Sequence, residues 1–258
     1  GKMNRSITTK LDELFAEWQL SCSHFVKDGI MLKPDTSIDV EEAWLHSERR
    51  IAFLLKDQNQ GIGEHWDDDA RLWPLYEGWP RGQMFHIIAN TFYGLSHIDI
   101  EDYNQFWYGE LDPNKVIEHF NHYPFAFIEC KKEPGGARLD DLTLRQYLTT
   151  KPHSTFLSKE IEILNPNIIV CCGGPIFDFC INLFGIENLR DYGYNGNLKY
   201  CKSKNQIILY CEHPAKPHTN KQRYHEVTMD LLREFIKTED GKYFLDTIKH
   251  KETSKQDW

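Results

Sequence analysis

Four short apolar runs, each stopping abruptly at polar residues, constrain this fold more than any other feature of the chain. They are Arg50 to Lys56, running into Asp57-Gln58-Asn59; Pro124 to Lys131; Asn167 to Cys172; and Gln206 to Glu212, running into His213-Pro214. Runs of this kind read as buried strands of a parallel sheet. Segments of helical spacing lie between and after them, at Thr143 to Leu148, Thr155 to Leu164, Ile176 to Phe184 and Tyr224 to Lys237. Strands alternating with helices predict a three-layer α/β/α fold around a central four-stranded, mostly parallel sheet. Upstream, Thr8 to Phe25 carries an apolar stripe of Leu11, Leu14, Phe15, Trp18 and Leu20, and Asp39 to Glu48 suits a short second helix. These segments predict an N-terminal helical extension over residues 1–47, an α/β domain over 48–240 and a tail over 241–258. Met84 to Leu95 fits a helix or a strand, helices are expected within Ile100 to His122, and the polar end from Lys249 is expected to fray.

Ligands of parallel sheets bind beyond the carboxyl ends of the strands. Asp57 and His213 are therefore expected to face one cleft. An anion opposite a hydrogen-bond donor suits a bond cleavage that builds positive charge on one side and negative charge on the other. Taken singly, Asp57 also suits a turn or a helix N-cap, and His213 a buried structural imidazole. The Asp57 to Gly82 segment is long, with six Gly or Pro residues among Trp66, Trp73, Tyr76 and Trp79, a composition typical of a functional loop. Lys132 to Arg138, with Pro134-Gly135-Gly136, reads as a turn-rich loop at the end of the second strand.

Charge and cysteine content limit the partners. The formal net charge is −9, which argues against indiscriminate coating of nucleic acid. Bases nevertheless cluster at Lys131-Lys132 and at Lys216, His218, Lys221 and Arg223, which suits either a local DNA-facing rim or a solvated loop. The seven cysteines form no Cys-x-x-Cys pair and lie mostly in apolar runs, so buried reduced thiols, a cytoplasmic location and no structural metal are expected. No apolar stretch is long enough to span a bilayer, and no membrane association or obligate protein partner is expected.

Four features in this order resemble the uracil-DNA glycosylase superfamily, over roughly residues 48–236. They are the strand ending in Lys56-Asp57-Gln58-Asn59; Ile128-Glu129-Cys130 followed by Lys131-Lys132-Glu133-Pro134-Gly135; the Leu157 to Gly173 helix, Asn165-Pro166 turn and strand; and Glu212-His213-Pro214-Ala215. The resemblance implies a monofunctional DNA glycosylase that flips a base from DNA and hydrolyses its N-glycosidic bond, leaving an abasic site with no cofactor. It implies that Asp57 orients water and stabilises the sugar cation, while His213 stabilises the departing base. Lys131, Lys132, Arg138, Lys216, His218, Lys221 and Arg223 would then contact DNA, and Gln58, Asn59, Trp73, Tyr76, Asn90 and Glu129 the base.

Departures from the family pattern bear on the substrate. The apolar wedge that family members carry after the His-Pro motif is replaced by Lys216-Pro217-His218. Glu129 stands near the strand end where the family often reads uracil with an Asn; an acceptor there suits the exocyclic amine of cytosine, unless Glu129 only pairs with Lys131 or Arg138. Gln58-Asn59-Gln60-Gly61 lacks the bulky side chain that excludes 5-substituents. Together these imply a non-canonical, modified or damaged pyrimidine, including a hypermodified phage cytosine in an antiviral defence role. Repair of uracil, or a non-catalytic DNA-sensing module on the same fold, are the alternatives.

Overall fold

The computed structural model describes residues 6–31, 39–59, 69–72, 82–135, 140–215 and 219–255. Among them one mixed sheet contains β1 (Gly29–Ile30), β2 (Ile51–Asn59), β3 (Ala126–Gly135), β4 (Ile168–Cys172), β5 (Arg190–Tyr192), β6 (Leu198–Cys201) and β7 (Gln206–Cys211), in the order β1-β3-β2-β4-β7-β6-β5. The four apolar runs form its parallel centre, β3-β2-β4-β7. The expected four-stranded sheet is corrected at both edges, where β1 pairs antiparallel with β3, and β6 and β5 continue antiparallel from β7. These edge strands are two to four residues long, and β5 exposes Arg190 and Asp191, so none carries an apolar run to announce it.

Nine helices pack on the sheet among the described residues: α1 (Ile7–Trp18), α2 (Val40–His46), α3 (Gln83–His97), α4 (Pro113–His122), α5 (Asp141–Thr149), α6 (His153–Leu164), α7 (Gly174–Phe184), α8 (Lys221–Ile236) and α9 (Glu239–Lys255). Strand alternation sorts the core into two layers. Phe53, Leu55, Phe127, Val170 and Leu209 face α3, α4, α8 and α9, whereas Ala52, Leu54, Ile128, Ile169 and Ile208 face α1, α2, α5, α6 and α7. Met84 to Leu95 is resolved as helix because it packs lengthwise on α8; at Gly94 an added Cβ would lie 2.6 Å from Met229 Sδ. The first helix ends at Trp18, and a 3₁₀ turn over Gln19–Ser21 leaves Leu20 83% exposed, so Leu20 is no part of the apolar stripe. The C-terminal stretch is helical to Lys255, with Phe244, Leu245 and Ile248 in the core. No helix among the described residues is long and apolar enough to cross a membrane. All seven cysteines are free thiols, six of them buried.

Connectivity creates one crevice. From β2 the chain passes through α3 and α4 to β3 on one side, then through α5 and α6 to β4 on the other side of β2. Successive connections leaving in opposite directions open a crevice at the carboxyl ends of β2 and β4, where ligands of such sheets bind.

A buried ion cluster ties the N-terminal segment to this frame. Lys132 has no exposed side-chain surface; its Nζ lies 2.6 Å from Asp28 Oδ2 and 2.6 Å from Glu160 Oε1 on α6. It also donates to the Glu129 carbonyl at 2.6 Å and stands 5.0 Å from the centre of the Trp18 ring. Burial alone would lower its pKa, but Asp28 and Glu160 outweigh that and raise it. Burial pushes Glu160 well above the usual carboxyl range, with Asp28 adding to the effect. The expected loop from Lys132 is therefore corrected: β3 continues to Gly135, with a register shift against β2 between Asp57 and Asn59. Lys132→Ala is expected to destabilise the fold by roughly 3–5 kcal/mol in urea denaturation, because it strands carboxyls away from water.

Candidate active site

Asp57 and His213 reach the crevice from opposite sides of β4. Parallel register aligns β2, β4 and β7 so that Leu54, Cys171 and Tyr210 share one rung. Alternation then places Asp57 with Phe53 and Leu55, and His213 with Leu209 and Cys211, all on the α3 and α8 side. With strands about 4.8 Å apart, two spacings separate the β2 and β7 backbones by ~10 Å.

Between them, the end of β4 is built on glycine. β4 stops at Cys172, and Gly173 turns the chain into α7 with φ of +133°, a conformation that side chains rarely adopt. Lys56 Cε lies 3.7 Å from where a Gly173 Cβ would stand, and Arg145 Nη2 lies 3.6 Å from that of Gly174. Lys56 pairs with Asp141 at 3.3 Å and Arg145 with Asp178 at 2.5 Å.

His213 is held in one neutral form. The Ala215 backbone N–H donates to His213 Nδ1 at 3.1 Å, so Nδ1 keeps its lone pair and the ring hydrogen sits on Nε2. Burial lowers its pKa, and the Lys56 ammonium lowers it further, to about 4. The imidazole is thus a hydrogen-bond donor that carries no charge at neutral pH. Gln83 at the start of α3 braces this loop, its Nε2 donating to the carbonyls of Pro214 at 3.4 Å and Thr219 at 3.5 Å. His86, one turn further along, has its pKa lowered by burial and by Lys221.

Glu129 lies two rungs below Asp57 on the neighbouring strand, since Leu55 pairs with Glu129 and Asp57 with Lys131. Its side chain shares the face of Phe127, whose ring stacks on Phe85 at 5.7 Å. Burial pushes the Glu129 carboxyl well above its usual range; Asp28 and Asp57 push it further, and Lys132 only partly offsets them. Glu129 therefore does not form the side-chain ion pair with Lys131 that the sequence left open: Lys131 donates instead to the Glu133 carbonyl at 2.9 Å and faces the Tyr147 ring.

The remaining predicted residues fall into separate groups. Lys132 is corrected as a DNA contact, because its ammonium is enclosed by carboxyls beneath the sheet edge. Lys221 and exposed Arg223 open α8 beside the His213 loop, and Arg223 also lines a cavity of about 310 Å³ with Tyr210, Glu212 and Asn220. Asn90 is buried two turns into α3. Trp73, Tyr76, Arg138, Lys216 and His218, and the side chains of Gln58 and Asn59, lie outside the described residues. Sequence reasoning missed Lys56, Asp28 and Gln83. Gly173-Gly174 directly after a strand was a readable signal, whereas Asp28 had none, standing 101 positions from the Glu129 amide that it accepts. Among the described residues no three His, Cys, Asp or Glu side chains gather as a metal site.

No family model matches this chain, and no curated protein matches it significantly.

The electrostatics make a direct prediction. In NMR titration the His213 ring should protonate near pH 4, and Lys56→Met should move that midpoint upward without restoring the ordinary 6.5, because burial remains. Between those values the unfolded chain binds the proton and the native state does not. Stability should therefore fall as pH drops from 6.5 toward 4, and His213→Gln should remove that part of the slope.

Proposed function

We propose that this protein is a monofunctional DNA glycosylase acting on a flipped, non-canonical pyrimidine, and that it leaves an abasic site. The observation that carries the reading is that β2 carries Asp57 and β7 runs into the neutral, Nε2-protonated His213 on either side of β4. Cleavage of an N-glycosidic bond separates charge over a few ångströms, with an oxocarbenium-like sugar on one side and a base carrying negative charge on its O2 on the other. Asp57 faces the sugar, stabilises its positive charge and orients the attacking water. His213 donates its Nε2 hydrogen to O2 of the leaving base. Being neutral and tautomer-locked, it is set for this task before the reaction begins, the condition under which such donors are most effective.

DNA placement follows from the same frame. Lys221 and Arg223, at the start of α8, stand where a backbone phosphate beside the His213 loop would lie, with Lys216 and His218 preceding them in sequence. Trp73 and Tyr76 are the residues assigned to stacking, and Gln58-Asn59-Gln60-Gly61, without a bulky side chain, are read as admitting a 5-substituted base. A modified phage cytosine removed in antiviral defence, and uracil or a damaged base removed in repair, are both substrates of this reading.

The test is abasic-site formation on duplexes that each carry one uracil, 5-hydroxymethyluracil, 5-hydroxymethylcytosine or glucosylated 5-hydroxymethylcytosine. Alkali-sensitive cleavage of one substrate is expected, with Asp57→Ala and His213→Ala each slower by at least about 10²-fold. Full activity in either variant would remove the assigned pair. No cleavage of any substrate, alongside retained duplex binding, would favour a sensing module.

A further inference from the structure

The crevice holds a third polar group whose role the charge-separating pair does not require. Glu129 is 3% exposed, and its Oε2 has no hydrogen-bond partner among the described residues. A buried carboxyl oxygen left without a partner is costly unless a ligand completes it. The backbone of Glu129 is fully engaged: its N–H donates to Asp28 Oδ2 at 2.8 Å, and its carbonyl accepts from Lys132 Nζ at 2.6 Å. The side chain is therefore the one part of Glu129 left to meet a ligand. It projects to the Asp57 side of the sheet, two rungs deeper than Asp57, so it meets the part of a base farthest from the sugar.

We propose that Glu129 reads the far edge of the flipped base with one O–H donor and one carbonyl acceptor, and so selects a pyrimidine that carries a 4-amino group. This rests on the glycosylase reading above. The O–H meets the N3 lone pair, and the carbonyl oxygen accepts from the exocyclic amine, a bidentate match to the amidine edge of a cytosine-type base. The surrounding charges set the preference. Asp28 and Asp57 are the carboxylates that act on Glu129, and the Lys132 ammonium is the opposing cation. Lys132 is largely committed to Asp28 and Glu160, so the field at the Glu129 head stays negative. That field keeps the acid's hydrogen in place and favours a base with a basic ring nitrogen over one that presents N3–H.

The experiment pairs substrates that differ only at this edge: duplexes with a single 5-hydroxymethylcytosine or a single 5-hydroxymethyluracil, and the glucosylated form of the former. Wild type, Glu129→Gln and Glu129→Ala are compared, with urea midpoints to confirm folding. Wild type should cut a 4-amino substrate about 10- to 100-fold faster than the 4-oxo one. Glu129→Gln keeps one donor and one acceptor, so it should stay within about tenfold of wild type and keep the preference, whereas Glu129→Ala should lose it. A protonated-carboxyl infrared band, lost in folded Glu129→Gln, would report the acid form independently of turnover. Preference for the 4-oxo substrate, or Glu129→Gln as inactive as Asp57→Ala, would overturn this assignment and leave the glycosylase reading standing. Equal slowing of all substrates in Glu129→Ala would reduce Glu129 to a structural part. Wild type that cuts none of them, nor a uracil duplex, would remove the glycosylase reading itself, and this inference with it.

Discussion

The Lys132 ammonium is the contact through which the separate parts of this molecule hold one another. It is a fully enclosed cation, and an isolated charge in that position would be expelled or neutralised. Asp28, Glu160 and the Glu129 carbonyl prevent this, and in doing so join the segment after α1 to β3 and to α6. Asp28 serves twice, since the oxygen that receives Lys132 also receives the Glu129 amide. The N-terminal segment is therefore a buttress for the strand that carries Glu129, and Trp18 closes over the cluster from α1. A buried ion pair of this kind adds little net stability compared with an apolar replacement, but it specifies one arrangement, because few other packings could satisfy it.

On that frame, the crevice is a product of strand parity and connection order. A parallel sheet aligns the carboxyl ends of its strands, and the reversal of direction between the connections leaving β2 and reaching β4 keeps one gap uncovered. Early termination of β4 at Gly173 deepens the gap. The groups around it then tune one another. Lys56 joins burial in keeping His213 uncharged, and Asp57 and Asp28 join burial in raising Glu129. One crevice thus brings an uncharged imidazole and a carboxyl of raised pKa close to Asp57.

Much of this was legible before folding. A buried strand needs a continuous apolar run, so the parallel centre and the positions of Asp57 and His213 at its rim followed from local pattern alone. The antiparallel edges were not legible, because Gly29–Ile30 and Arg190–Tyr192 are too short to carry a period. Lys132 was misread for a related reason: next to Lys131 and ahead of Pro134-Gly135 it looks like a surface loop, and only carboxyls distant in sequence turn it inward. Leu20 fitted the stripe of α1, yet the helix ends before it.

By itself, the sequence determined the strand–helix alternation, the buried thiols and the two polar strand ends, since each depends on residues adjacent along the chain. Tertiary structure alone decided the pKa shifts of His213 and Glu129 and the burial of Lys132. Those properties arise from desolvation and from fields set by groups remote in sequence, which no local pattern encodes.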